Sequence, residues 1–157
     1  MPNANDPAGS SADREIVATR VFDAPRELVW KLWTDPHHVA QWWGPNGFTS
    51  TIQEMDVRPG GAWRLVMHGP DGTDYDNKCI FREVIQNKKI VYEHVNWPKF
   101  VGTVEFEAQG EQTELTWYMQ FESEEEFIQV VKKHGAVEGQ KENVIKMDAY
   151  LQKMKQR

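Results

Sequence analysis

Phe22-Asp23-Ala24-Pro25, Trp33-Thr34-Asp35-Pro36, Gln41-Trp42-Trp43-Gly44-Pro45 and Asp56-Val57-Arg58-Pro59-Gly60-Gly61-Ala62-Trp63 follow one another in the first half of the chain, and their order decides the fold. Asp23 offers a side-chain cap and Pro25 sits where a first helical turn needs no N–H, so a helix is predicted there. Val29, Leu32 and Trp33 at i, i+3 and i+4 give that helix an apolar face. Thr34-Asp35-Pro36 repeats the start signal, so the first helix stops and a short second one runs from Pro36 to Trp42, closed by Gly44-Pro45. In Arg58-Pro59-Gly60-Gly61, Pro at i+1 and Gly at i+2 meet the demands of a type II turn.

Upstream, Ile16, Ala18, Arg20 and Phe22 alternate with Val17, Thr19 and Val21, which predicts a strand over 14–22. From Phe48 the pattern is again of period two, and turn residues at 58–61, 69–72, 86–89 and 109–111 cut it into strands at 48–57, 62–68, 75–85, 89–96, 101–108 and 112–121. Such short connections permit hairpins and exclude parallel crossovers, so the sheet is antiparallel. After Ser123 the period returns to helical. Ser123 and Glu126 form a capping box before Phe127, Val130 and Val131, and Gly135 interrupts. A longer helix over Ala136–Lys155 carries Val137, Val144, Ile145, Met147, Leu151 and Met154 as its apolar stripe.

A chain of 157 residues with 39% hydrophobic and 27% charged residues reads as one domain, 14–157, preceded by a polar, disordered tail at 1–13. That tail lacks the basic and apolar segments of a signal or transit peptide, and no apolar run approaches the ~20 residues of a membrane span. No membrane is therefore expected among its partners, and a cytoplasmic location follows by default. Cys79 is the one cysteine, which excludes an intrachain disulfide and a cysteine-based metal cluster. A net charge of −6 argues against nucleic acid as a partner, since that affinity rests on Lys and Arg neutralising phosphates.

Trp42-Trp43-Gly44-Pro45 and Arg58-Pro59-Gly60-Gly61, at this spacing and within this order of elements, resemble the activator of heat-shock-protein-90 ATPase homologue family of the START-like (SRPBCC, polyketide-cyclase-like, Bet v-like) helix-grip superfamily. The likeness spans residues 14–155. It implies an α+β fold of order β-α-α-β6-α, in which a curved antiparallel sheet wraps a long C-terminal helix and the two small helices close one end. It also implies a cavity between sheet and helix. At Cys79 the related sequences often carry glycine, so a side chain here takes up space on the concave face.

Strand parity puts Trp63, Leu65 and Met67 on one face, with Cys79 and Phe81, Val104 and Phe106, and Leu115, Trp117 and Met119 on the same side. Each of these taken singly reads as core; taken together with the resemblance they read as a lined cavity. The expected wall is Trp63, Met67, Cys79, Phe81 and Trp117 from the strands, and Val144, Met147 and Leu151 from the long helix. His94 and Tyr118 are its expected polar anchors. Met55, Met67, Met119, Met147 and Met154 give adaptable surfaces. Val29, Trp33 and Trp42 are expected to pin the small helices to the rim.

Catalytic signatures are sparse. Adjacent His37 and His38 diverge by about 100° on a helix, which suits solvent better than a shared metal, and His68, His94 and His134 lack a metal-ligand spacing. No G-x-S-x-G is present, Cys79 has no local basic signature, and Gly60-Gly61 lies between strands, where no helix supplies amide donors to a phosphate. Arg64, Tyr75, Glu93, His94, Glu105 and Tyr118 lie on strands and are the residues an acid–base mechanism would draw on, though alternating polar residues usually face water. The leading expectation is a non-enzymatic, cofactor-free protein binding a small apolar or amphipathic ligand. One alternative is a cyclase- or dehydratase-type enzyme acting on a polyketide-like or aromatic substrate. The other is a chaperone-activating partner role, ranked lower because in eukaryotic co-chaperones a further N-terminal domain precedes this module. Trp97, Phe100 and Val101 are the residues on which a homodimer would rest.

Overall fold

Pro25, at φ −69° and ψ 156°, turns the chain out of β1 (Glu15–Phe22) and into α1 (Arg26–Thr34). The computed structural model describes residues 14–96, 99–133 and 135–155; the proposed tail, Trp97 and His134 lie outside them. Asp23 does not cap α1 as predicted, because Pro25 occupies the cap position without a side-chain bond. The Asp23 carboxylate instead accepts from Lys155 Nζ at 3.0 Å, and that hydrogen bond holds it below the usual carboxylate range. Asp35 does cap α2 (Pro36–Trp42), accepting from the His37 amide at 2.9 Å.

Seven antiparallel strands form one curved sheet in the order β1-β7-β6-β5-β4-β3-β2. They are β2 (Thr49–Met55), β3 (Ala62–His68), β4 (Asp74–Ile85), β5 (Lys89–His94), β6 (Phe100–Gln109) and β7 (Gln112–Phe121), so each predicted strand is present with its ends moved by at most two residues. The 58–61 turn has Gly60 at φ 85°, and the Gly61 amide donates to the Arg58 carbonyl at 2.8 Å. Register shifts at Ile52/Glu54 and Phe81/Glu83 bend β2 and β4, in the way bulges impose curvature.

Ser123 accepts from the Glu126 amide at 3.1 Å and starts α3 (Glu124–Ile128), which widens into a π-type turn over Gln129–Lys133. After Gly135, α4 (Ala136–Lys155) crosses the concave side. It buries Val144, Met147 and Leu151 but not Ile145, which is 57% exposed because it projects from the opposite side of the helix. Arg20 on β1 grips Asp148 at 2.8 and 3.0 Å, and His38 on α2 meets the Tyr150 hydroxyl at 2.7 Å. Thus His37 faces solvent as predicted, whereas His38 is half-buried and ties two helices together. The layout is the helix grip.

Strand parity holds throughout. Trp63, Leu65, Cys79, Phe81, Val104, Phe106, Leu115 and Trp117 are buried on the concave face, with Met67 and Met119 half-buried beside them. One close approach inside this core is testable. Gly102 lies across from Tyr92, and a Cβ there would overlap the Tyr92 ring. That ring is fully buried, and its hydroxyl accepts from Trp117 Nε1 at 3.1 Å. Gly102→Ala is expected to lower the unfolding free energy by about 1–3 kcal/mol, the usual cost of overpacking. Urea unfolding measures this; an unchanged midpoint would mean that the ring has room to move.

Candidate functional site

Indole rings determine where empty space remains. Trp33 from α1, Trp42 and Trp43 from the end of α2, Trp63 from β3 and Trp117 from β7 meet in one cluster. Ring centroids lie 4.8 Å apart for Trp33–Trp42, 5.1 Å for Trp33–Trp117, 4.8 Å for Trp43–Trp63 and 5.7 Å for Trp43–Trp117. Most of these contacts are edge-to-face, the arrangement that ring quadrupoles favour. Trp42 also donates Nε1–H to the Leu32 carbonyl at 2.9 Å, which fixes α2 against α1. Val29, Trp33 and Trp42, expected to pin the small helices, are all buried, and the Trp33 ring meets Trp42 and Trp117 of β7.

From Val144 onward, α4 buries Val144, Met147 and Leu151 in the core and lies against α2 and β1. Its N-terminal half stands off from the sheet and leaves a cavity of about 410 Å³. Trp43 and Pro45 close one side; Met67, Asn77, His94, Phe100, Trp117 and Met119 come from β3 to β7; Val130 comes from the π-type turn; Gly135 to Asn143 form the helical wall. Of the ten residues predicted to line it, Met67, His94 and Trp117 do so. Trp63, Cys79, Phe81, Val144, Met147 and Leu151 share the concave side but are packed into the core around the indole cluster, so they do not line this space. Tyr118 points to the opposite face of the sheet, since Trp117 and Met119 point in, and it sits beside Glu105. Burial first and the Glu105 charge second raise its pKa.

The cavity's polar groups come largely from residues that the sequence reading did not select. His94 is 4% exposed, stacks on Phe100 with centroids 4.9 Å apart, and has Nε2 2.6 Å from Asn77 Oδ1. Asn77 uses its amide nitrogen on the Tyr75 carbonyl at 3.2 Å, so the oxygen faces His94 and Nε2 must carry the proton. From α4, Gln140 donates Nε2–H to the Trp117 carbonyl at 2.9 Å, and Asn143 Oδ1 accepts the Gly44 amide at 2.7 Å. Glu142 accepts the Asn46 amide at 2.9 Å, and Lys146 Nζ donates to the Gly44 carbonyl at 3.0 Å. Desolvation lowers the Lys146 pKa, partly offset by Glu142. A signal for Gln140 and Asn143 was present: they continue, at helical spacing, the face of Val144, Met147 and Leu151. Polar residues on a buried helical face need partners.

Of the remaining acid–base candidates, Arg64 lies 3.9 Å from Glu54 on exposed surface, Glu93 pairs with Arg82 at 2.9 Å, and Glu105 flanks Tyr118 on the outer face. Tyr75 is at the outer rim against Phe48. Among the described residues no group of three or more His, Cys, Asp and Glu is placed to hold a metal, and no helix is long and apolar enough to cross a membrane.

Residues 23–152 match the family model described as Activator of Hsp90 ATPase homolog 1-like protein. The chain is also similar to solved structures. A protein from Arthrobacter aurescens is 26% identical with a TM-score of 0.85, the match covering 93% of this chain and 90% of that one. One from Nitrosomonas europaea is 21% identical with a TM-score of 0.82, covering 93% and 99%. A Silicibacter pomeroyi protein described as AHSA1 is 19% identical with a TM-score of 0.70, covering 87% and 96%. At those last two identities the likeness is one of fold. No curated protein matches the chain.

Cys79, beside the cavity but sealed, makes a pH prediction. Burial pushes its thiol pKa well up, so the folded protein keeps a proton that the unfolded chain releases near the ordinary value of about 8.5. Above that pH the unfolded state binds fewer protons than the folded one, so stability falls as pH rises. The thiol's share of this loss approaches ~1.4 kcal/mol per pH unit. The difference in unfolding free energy between wild type and Cys79→Ala should therefore narrow from about pH 8 to about pH 10. Parallel curves in urea titrations would show that the thiol ionises in place.

Proposed function

The chain belongs to the Activator of Hsp90 ATPase homolog 1-like family, and from that premise we propose that it binds a small, largely apolar molecule in the cavity between the sheet and the N-terminal half of α4. The observation that carries this reading is the cavity itself. Its volume of about 410 Å³ lies within the range of small-molecule sites, and its walls include Trp43, Met67, Phe100, Trp117, Met119 and Val130. Each ligand CH₂ buried against such walls contributes about 0.8 kcal/mol. Trp43 and Trp117 are rigid, while Met67 on β3 and Met119 on β7 can change rotamer to suit different shapes. The His94–Asn77 pair adds a fixed polar point on the sheet side of the space.

Two indoles in the wall make binding visible without a label. Titration with butylbenzene-type compounds is expected to give saturable tryptophan quenching and a raised melting temperature. Met119→Trp, which fills the cavity from β7, is expected to weaken binding at least about tenfold, equivalent to ~1.4 kcal/mol. Wild-type protein that responds to no member of an apolar compound library would overturn the reading.

A further inference from the structure

Gln140 and Asn143 are 3% and 8% exposed, lie one helical turn apart on α4, and both line the cavity. Each spends one end of its carboxamide on backbone, and the chemistry of those partners dictates which end. A backbone N–H can only donate, so the Asn143 atom 2.7 Å from the Gly44 amide is the oxygen. A carbonyl can only accept, so the Gln140 atom 2.9 Å from the Trp117 carbonyl is the nitrogen. What remains is Gln140 Oε1, an acceptor, and Asn143 Nδ2, a donor. Neither atom has a hydrogen-bond partner among the described residues. Nor is either sealed away like Arg26 Nε, Trp33 Nε1 and Trp63 Nε1, the buried polar atoms without a partner among the described residues. Both atoms therefore keep accessible surface, on residues of the cavity wall whose Cβ positions are about 5–6 Å apart.

We infer that this pair is a subsite for a neutral group that donates and accepts side by side, so that the ligand is a mostly apolar molecule carrying a primary amide or lactam. The inference rests on the cavity reading above and narrows it to a ligand class. The ligand's carbonyl oxygen takes the proton of Asn143 Nδ2, and its N–H points to Gln140 Oε1. Both protein atoms are already held by their other ends, so little rotamer freedom is lost when a ligand engages them. Glu138 and Glu142 stand on the same helical wall, and they disfavour a carboxylate in the amide's place. A ligand that left the two amide groups unmatched would bury them at a cost, which is how such a pair discriminates.

The test is a matched series with one apolar body: 4-butylbenzamide, 4-butylacetophenone, 4-butylbenzoate and butylbenzene, each titrated by calorimetry and tryptophan quenching. The amide is expected to bind about fivefold more tightly than the ketone, the scale of one neutral buried hydrogen bond, and the carboxylate more weakly than either. Gln140→Met should bring the amide down to the ketone's affinity while leaving the ketone unchanged. Asn143→Asp, which keeps the acceptor for the Gly44 amide and replaces the donor, should weaken both. If a variant fails to fold, the wild-type series decides alone. Equal binding of amide, ketone and butylbenzene would overturn this inference and leave the cavity reading standing. Absence of binding by all four compounds would overturn both.

Discussion

Five indole rings locked beneath one sheet are the constraint on which the rest of this structure depends. Trp33, Trp42, Trp43, Trp63 and Trp117 come from two helices, the loop after α2 and two strands, yet they form a single contact network with centroids 4.8–5.9 Å apart in most pairs. Interiors are packed to crystal-like density and tolerate few voids, so these large rigid rings define both what is filled and what is left. Beside them, Met67, Phe100 and Met119 face the start of α4 across open space. The cavity is thus the unfilled remainder of an otherwise dense concave face.

This division explains why α4 has two characters along one length. From Val144 onward it obeys the ordinary rule of an amphipathic helix and buries Val144, Met147 and Leu151. Its first half buries Gln140 and Asn143 on the continuation of the same face. A buried carboxamide is tolerable only when bonded, and both find backbone partners contributed by other elements. Gln140 takes the Trp117 carbonyl of β7, and Asn143 takes the Gly44 amide of the loop after α2. The polar half of the helix therefore does structural work at the boundary of the space it leaves open.

Much of the fold was legible in the residues because each local signal agreed with the global plan. Asp35-Pro36, Arg58-Pro59-Gly60-Gly61 and Ser123–Glu126 act locally, through caps and turns, and they form where the sequence puts them. Asp23 misled because a cap competes with a distant partner, and Lys155 at the far end of the chain won. Parity assigned faces to the strands correctly but carries no information on depth, which is why Trp63, Cys79 and Phe81 were expected in the cavity wall and lie in the core. Tyr118, expected as a polar anchor, lies between Trp117 and Met119 in β7 and so faces the other way. Trp43, Phe100 and the Gln140–Asn143 pair depend on long-range contacts, and periodicity within one element does not report those.

The loop from Trp43 to Phe48 joins these strands of argument. Gly44 sits at φ 105°, a left-handed conformation that glycine adopts without strain, and a side chain there would press on Phe48 and Met67. Its amide is held by Asn143, the Asn46 amide by Glu142, and its carbonyl by Lys146. Three successive contacts from one helix therefore fix a loop whose first residue, Trp43, is at once part of the indole cluster and part of the cavity wall. The wall is a closed circuit: cluster positions loop, loop positions helix, and helix completes the cavity over the sheet. In such a circuit a molecule seated against Asn143 and Trp43 touches both the helix and the loop that holds it. Its binding energy then adds to the same contacts that define the fold, so occupancy and stability rise together.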